Sequence, residues 1–136
     1  MSNARRIKNM SQVVVVSDLA RSLAYYSRLG FHTDHWGHAD LDGLTLLLRQ
    51  AQRPEDVRPL SRVPLVEGSH SYPHNDYDTF AYGPSAEAID ELYAQFKANG
   101  ASFAFELFTA ESVDMRWRKF GLKDPDGYVI TFGAMF

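Results

Sequence analysis

The stretch Met115 to Gly133, MRWRKFGLKDPDGYVITFG, decides how the rest of the chain is read. Asp124-Pro125-Asp126-Gly127 is strong turn chemistry. Asp stands at the first position, Pro presets φ at the second, and Gly stands at the fourth. The run before the turn alternates large apolar and basic residues. The run after it is β-branched and aromatic. Both favour strand, so the stretch is read as a hairpin.

Working outward, Ala101 to Glu106 also reads as a strand, and residues 107 to 114 read as a polar loop. Upstream, Ser85 caps a helix that ends at Gly100. Ile89, Leu92, Tyr93 and Phe96 fall at i, i+3, i+4 and i+7, one amphipathic stripe. Tyr77 to Tyr82 alternates as a strand. The first part of the chain repeats this order. Met10 to Val16 is a β-branched strand, and Asp18 caps a helix running to Leu29 with Gly30 just past its end. Phe31 to Trp36, His38 to Leu41 and Leu44 to Gln50 follow as strands, the last entered through the Asp42-Gly43 turn. The pattern is strand, helix, three strands, written twice. The third strand of each module carries the weakest signal.

Composition narrows the class. The chain has 136 residues, 45% hydrophobic and 13% aromatic, with net charge −3 and no Cys. That suits one globular domain with a sizeable core. Scattered basic residues argue against a nucleic-acid face. The absence of Cys excludes disulfides and thiolate metal sites. Apolar runs are too short for a membrane span, and the N-terminus does not read as a signal peptide. The expectation is a cytoplasmic protein. Residues 1–9 are expected to form a flexible leader and residues 10–136 a single domain. Within it, module one covers 10–50, a Pro- and Arg-bearing linker 51–75, and module two 76–136. A linker without periodicity is either a connector or a loop that covers a ligand.

Two stretches, VVVVSDLARSLAYYSRLGF at 13–31 and DTFAYGPSAEAIDELYAQFKANGASF at 78–103, together with the hairpin, resemble the vicinal oxygen chelate superfamily. That superfamily holds glyoxalase I, fosfomycin- and bleomycin-resistance proteins and extradiol dioxygenases. The resemblance implies an α+β fold of two βαβββ modules, forming cupped mixed sheets around a cleft. It also implies a homodimer. In metal-dependent relatives four cleft positions carry His, Glu or Gln, donors suited to divalent metals. Carried over, they fall on Ser11, on the strand Leu44 to Gln50, on Asp78 and on Thr131. Shifting the register by one brings Gln12 and Tyr77 and does not rescue the set. The departure points to the bleomycin-resistance-like branch of antibiotic-resistance proteins, with no metal and no cofactor. The alternative is a metal-dependent lyase, isomerase or dioxygenase with a non-standard ligand set. A third reading is a domain that acts through protein contacts.

Strand parity nominates the ligand-binding residues. Asp78, Phe80 and Tyr82 share one face. A carboxylate among aromatics could meet a cation, act as a base, or bond its own backbone. If Phe120 and Leu122 face the core, Trp117 and Lys119 face the cleft, although Arg116 and Arg118 then take the core parity. Aromatic faces with a few polar groups suit a planar ligand. Trp36, Thr131 and Ser11 complete the candidates, and no catalytic residue is assigned. His32, His35 and His38 could bind metal, and the cluster of His70, His74, Asp76 and Asp78 could form a metal site or an acid–base pair. Ordinary strand-end and turn positions are favoured for the first three, because i and i+3 on a strand face opposite ways, and a solvated loop is favoured for the second cluster apart from Asp78. A Gly-rich phosphate loop, a nucleophile elbow and HExxH are all missing, which weighs against kinase, dinucleotide-binding and hydrolase readings.

Overall fold

A computed structural model describes residues 4–63 and 77–136. Module one contains β1 (Ser11–Val16), α1 (Leu19–Leu29), β2 (His32–Thr33), β3 (His38–Leu41) and β4 (Leu44–Gln50). Module two contains β5 (Thr79–Tyr82), α2 (Ala86–Ala98), β6 (Ser102–Glu111), β7 (Arg116–Lys123) and β8 (Val129–Met135). The sheets have matching orders, β1-β4-β3-β2 and β5-β8-β7-β6. In each, the outer strand runs parallel to its neighbour and the remaining pairs are antiparallel. The fold is α+β, two βαβββ modules.

Local chemistry explains the element ends. The Asp18 and Ser85 side chains accept from the third backbone N–H beyond them, Arg21 N and Ala88 N, satisfying donors that a helix start leaves open. Two elements differ from expectation. β2 is shorter than Phe31 to Trp36 because the Asp34 carboxylate accepts from the Trp36 and His38 backbone N–H groups and turns the chain early. β6 runs on to Glu111, through more than half of the expected loop 107–114, by pairing Phe108, Thr109, Ala110 and Glu111 with β7. Register shifts between Phe103 and Phe108 let it do so. The described part of the linker carries two short 3₁₀ turns, Pro54–Asp56 and Leu60–Arg62. His70, His74, Asp76 and the remainder of the linker lie outside the described residues.

One core serves both modules. Val14, Val16, Leu46 and Leu48 of the first sheet and Phe120, Leu122, Ile130 and Phe132 of the second are buried in a single cluster with the helices. Each such side chain contributes roughly 1.5–3 kcal/mol by leaving water. Phe31 stacks on Phe96 of α2 with centroids 6.0 Å apart, and Gln95 Nε2 donates to the Leu29 carbonyl at 3.0 Å.

The hairpin turn is the polar bolt between modules. Asp124 Oδ1 accepts from Asp126 N and Tyr128 N, both at 2.9 Å, which holds the turn from inside. Gly127 takes φ +93, a conformation that an L side chain resists. The Asp126 carboxylate accepts from Ser17 N at 3.0 Å and pairs with Arg21 at 3.2 Å, reaching across to module one. Tyr128 Oη donates to the Val15 carbonyl at 2.6 Å. Asp124 is 3% exposed, and burial pushes its carboxyl up to about 6 despite the backbone donors that oppose the shift.

Candidate functional site

β7 sorts its side chains by parity. Phe120 pairs with Phe132 and Leu122 with Ile130, and all four join the core under α2. The same parity carries Arg118, which resolves the conflict in the pattern. Arg118 Nε donates to Asp90 Oδ1 of α2 at 2.7 Å and its Nη1 donates to Thr109 at 3.2 Å. A charge sits on the helix side because the helix supplies its partner. Arg116 lies at the strand end, paired with Glu111 at 3.2 Å and over the Phe136 ring at 4.3 Å.

The opposite parity forms the open face. Trp117 and Lys119 of β7 share it with Thr131 and Gly133 of β8 and with Phe80 and Tyr82 of β5. Their rings touch. Phe80 lies 4.6 Å from Tyr82 and 5.7 Å from Trp117, and Tyr82 lies 6.2 Å from Trp117. Tyr82 is 77% exposed, while Phe80, Trp117 and Lys119 are half-buried. Gly133 matters for close approach. A Cβ there would stand 2.8 Å from the tip of the Phe80 ring and 3.3 Å from Lys119 Cβ. The glycine therefore lets Phe80 and Lys119 stand together. The Lys119 ammonium lies 5.6 Å from the Phe108 ring centroid, and burial lowers its pKa. Phe80 and Tyr82 also line a cavity of about 490 Å³ between the modules, with Met10 and Gln12 of the β1 end, Leu44 and Ile89 opposite them.

The other candidates fall elsewhere. Asp78 holds backbone. Its Oδ1 accepts from Leu60 N at 2.7 Å and its Oδ2 from Val129 N at 2.8 Å, which fastens the linker to the start of β8. Thr131 is fully buried, and its hydroxyl has no partner among the described residues. The Phe105 ring lies over Gly121, beside Thr131 in the register. Ser11 is exposed on the other sheet. Trp36 is 71% exposed in the β2–β3 turn, against His35 and away from the ring cluster. His38 Nδ1 pairs with Asp34 at 2.9 Å. The sequence reading missed Phe105 and Phe108 of β6 and Gly133. The loop expected after Glu106 hid Phe108, whose signal was its opposition to Lys119 across a hairpin.

These residues do not fit the metal site of the metal-dependent relatives. Ser11 is a weak donor, and Gln50 of β4 is spent on Leu19 N and the Ser17 carbonyl. Asp78 is engaged by backbone donors, and Thr131 is sealed. Among the described residues no group of three or more His, Asp or Glu side chains is arranged to hold an ion.

Two βαβββ modules sharing a core, with an open mixed-sheet face, define a protein of the two-module glyoxalase fold. The chain belongs to the Glyoxalase/Bleomycin resistance protein/Dioxygenase superfamily, whose family model matches residues 9–132. Among solved structures it is similar to a glyoxalase/bleomycin resistance protein/dioxygenase from Alicyclobacillus acidocaldarius. The TM-score is 0.67 at 20% identity, over 95% of this chain and 92% of that one. It is also similar to TioX from Micromonospora sp. ML1, with TM-score 0.62 at 20% identity over 93% and 98% of the two chains. A third is a virulence protein from Salmonella typhimurium, with TM-score 0.58 at 17% identity over 98% of each chain. At such identities the likeness speaks for the fold alone. No curated protein matches the chain. Among the described residues no helix is long and apolar enough to cross a membrane.

Proposed function

We propose that the protein binds a small molecule on the open face of the second sheet, in the manner of the bleomycin-resistance-like branch and without a catalytic metal. The observation that carries this reading is the contact cluster of Phe80, Tyr82 and Trp117, presented on a sheet whose other face packs Phe120, Leu122, Ile130 and Phe132 into the core. Aromatic surface left half-wet beside a cavity is the ordinary substrate for stacking a planar ligand. Sequestration of this kind needs burial and complementarity and no bond making. The reading includes a homodimer, supported by the exposed apolar Val13 on edge strand β1 and Met135 at the end of β8.

The test is a panel of planar aromatic ligands titrated against the Trp36→Phe variant, in which Trp117 is the sole indole. Saturable change in Trp117 emission is expected, lost in Phe80→Ala. Purification without chelators, followed by elemental analysis, supplies the opposing outcome. A stoichiometric zinc, nickel, manganese or iron ion that disappears in Asp78→Ala would overturn the metal-free reading. Sedimentation at micromolar concentration decides the dimer.

A further inference from the structure

Lys119 is half-buried between Phe80 and Phe108, and among the described residues its ammonium has no ion pair and no carboxylate hydrogen bond. A cation withdrawn from water without a counter-charge costs free energy that the fold must offset elsewhere. Among the described residues the acid on this parity is Asp78, and it stands at the β8 start, where its oxygens accept from Leu60 N and Val129 N. Gly133 lets Phe80 and the Lys119 stem close together, because a Cβ there would stand 2.8 Å from the Phe80 ring and 3.3 Å from Lys119 Cβ. The rings of Phe80 and Trp117 and the Lys119 side chain thus share one surface, with the ammonium over Phe108 at its β6 side.

We propose that this face selects planar aromatic carboxylates, with the ring against Phe80 and Trp117 and the carboxylate on the Lys119 ammonium. The proposal rests on the aromatic-site reading above and goes further by setting the sign of the ligand's charge. Burial lowers the Lys119 pKa, and an anion beside the ammonium would act in the opposite direction by favouring the charged form. Phe108 and the Lys119 stem form the low-polarity floor that strengthens the ion pair.

The test compares 2-naphthoate with its neutral isostere 2-naphthamide at neutral pH, by calorimetry and by Trp117 emission in the Trp36→Phe background. Naphthoate is expected to bind about tenfold tighter, the size of one partly buried charge-assisted contact. Lys119→Met should bring the two ligands within about twofold by weakening naphthoate alone, and Lys119→Arg should keep the preference. Near-ultraviolet circular dichroism checks that each variant is folded. Equal binding of both ligands to the native chain overturns the charge assignment and leaves the aromatic site standing. Failure of both ligands to bind, with unchanged Trp117 emission at millimolar concentration, overturns the aromatic-site reading as well.

Discussion

The two sheets share a strand order and a helix-backed face, yet their open faces differ in chemistry. On the first sheet the open parity carries Ser11, Val13, Val15, Thr45, Leu47 and Arg49, with His32, His38 and Asp40 from β2 and β3, so it is aliphatic and polar with no Phe, Tyr or Trp. On the second the same parity carries Phe80, Tyr82, Trp117 and Lys119, with Phe108 joining from β6. The helix-backed faces are interchangeable in kind: Val14, Val16, Leu46 and Leu48 on one, Phe120, Leu122, Ile130 and Phe132 on the other. Folding constrains one parity of each strand, because that parity must exclude water. The other parity is left to whatever the protein does. In the second module it has been filled with stacking surface and one cation.

The most severe way to break this contrast is through the face the modules have in common. Phe120 is fully buried and touches the rings of Tyr93, Phe96, Phe103 and Phe132. Phe120→Ala is expected to cost about 3–5 kcal/mol in denaturant unfolding. Because the core is one cluster, the loss should appear in a single transition reported equally by Trp36 and Trp117.

Next in size is the bolt. Asp124→Ala leaves the Asp126 and Tyr128 N–H groups without their buried acceptor, an expected loss of about 2–3 kcal/mol. Asp124→Asn keeps an acceptor and removes the charge, which isolates the pH effect. With its carboxyl at about 6 when folded, Asp124 holds a proton in the native state that the unfolded chain releases from about pH 4 upward. The folded state therefore binds more protons between about pH 4 and 6, and this group subtracts stability as pH rises through that window. Above it the penalty is complete, on the order of 3 kcal/mol at most. The stability of the native chain relative to Asp124→Asn should fall across pH 4–6 and be flat beyond; a flat difference throughout would show that Asp124 stays ionised.

Smaller effects separate the open faces themselves. Trp117→Ala is expected to weaken an aromatic ligand by about 2 kcal/mol, roughly thirtyfold in Kd. Stability should fall less than for Phe120→Ala, as Trp117 is only half-buried. On the first sheet, Val13→Ser should leave ligand affinity within about twofold, because the ring cluster stands on the second sheet. If Val13→Ser weakened the ligand as much as Trp117→Ala, the first sheet would be part of the same site, brought there by a second copy of the chain.

Much of this was legible along the chain. The caps at Asp18 and Ser85, the breaks at Gly30 and Gly100 and the Asp124 turn are local chemistry, so both helices and the final hairpin could be placed within about two residues. Parity also carried Phe80, Tyr82, Trp117 and Lys119 onto one face, because alternation in a strand is a short-range rule. What failed did so for long-range reasons. Nothing local in Asp78 tells that Leu60 N and Val129 N would occupy its oxygens. Thr131 lies on the open parity yet is sealed, a matter of how β6 bulges over Gly121. Arg118 looked misplaced until Asp90 of α2 was beside it.

By itself, then, the sequence determined two βαβββ modules, the turn that joins the last two strands, and the parity that separates core from open face. Those follow from backbone preferences and from the periods of hydrophobic residues, which act over a few positions. Only the tertiary structure decided that the Asp124 turn bolts the modules together, that Asp78 fastens the linker, and that Lys119 stands over Phe108 with no counter-charge among the described residues. Those depend on which distant backbone donors, carboxylates and rings share a few ångströms of space, and that is set by packing.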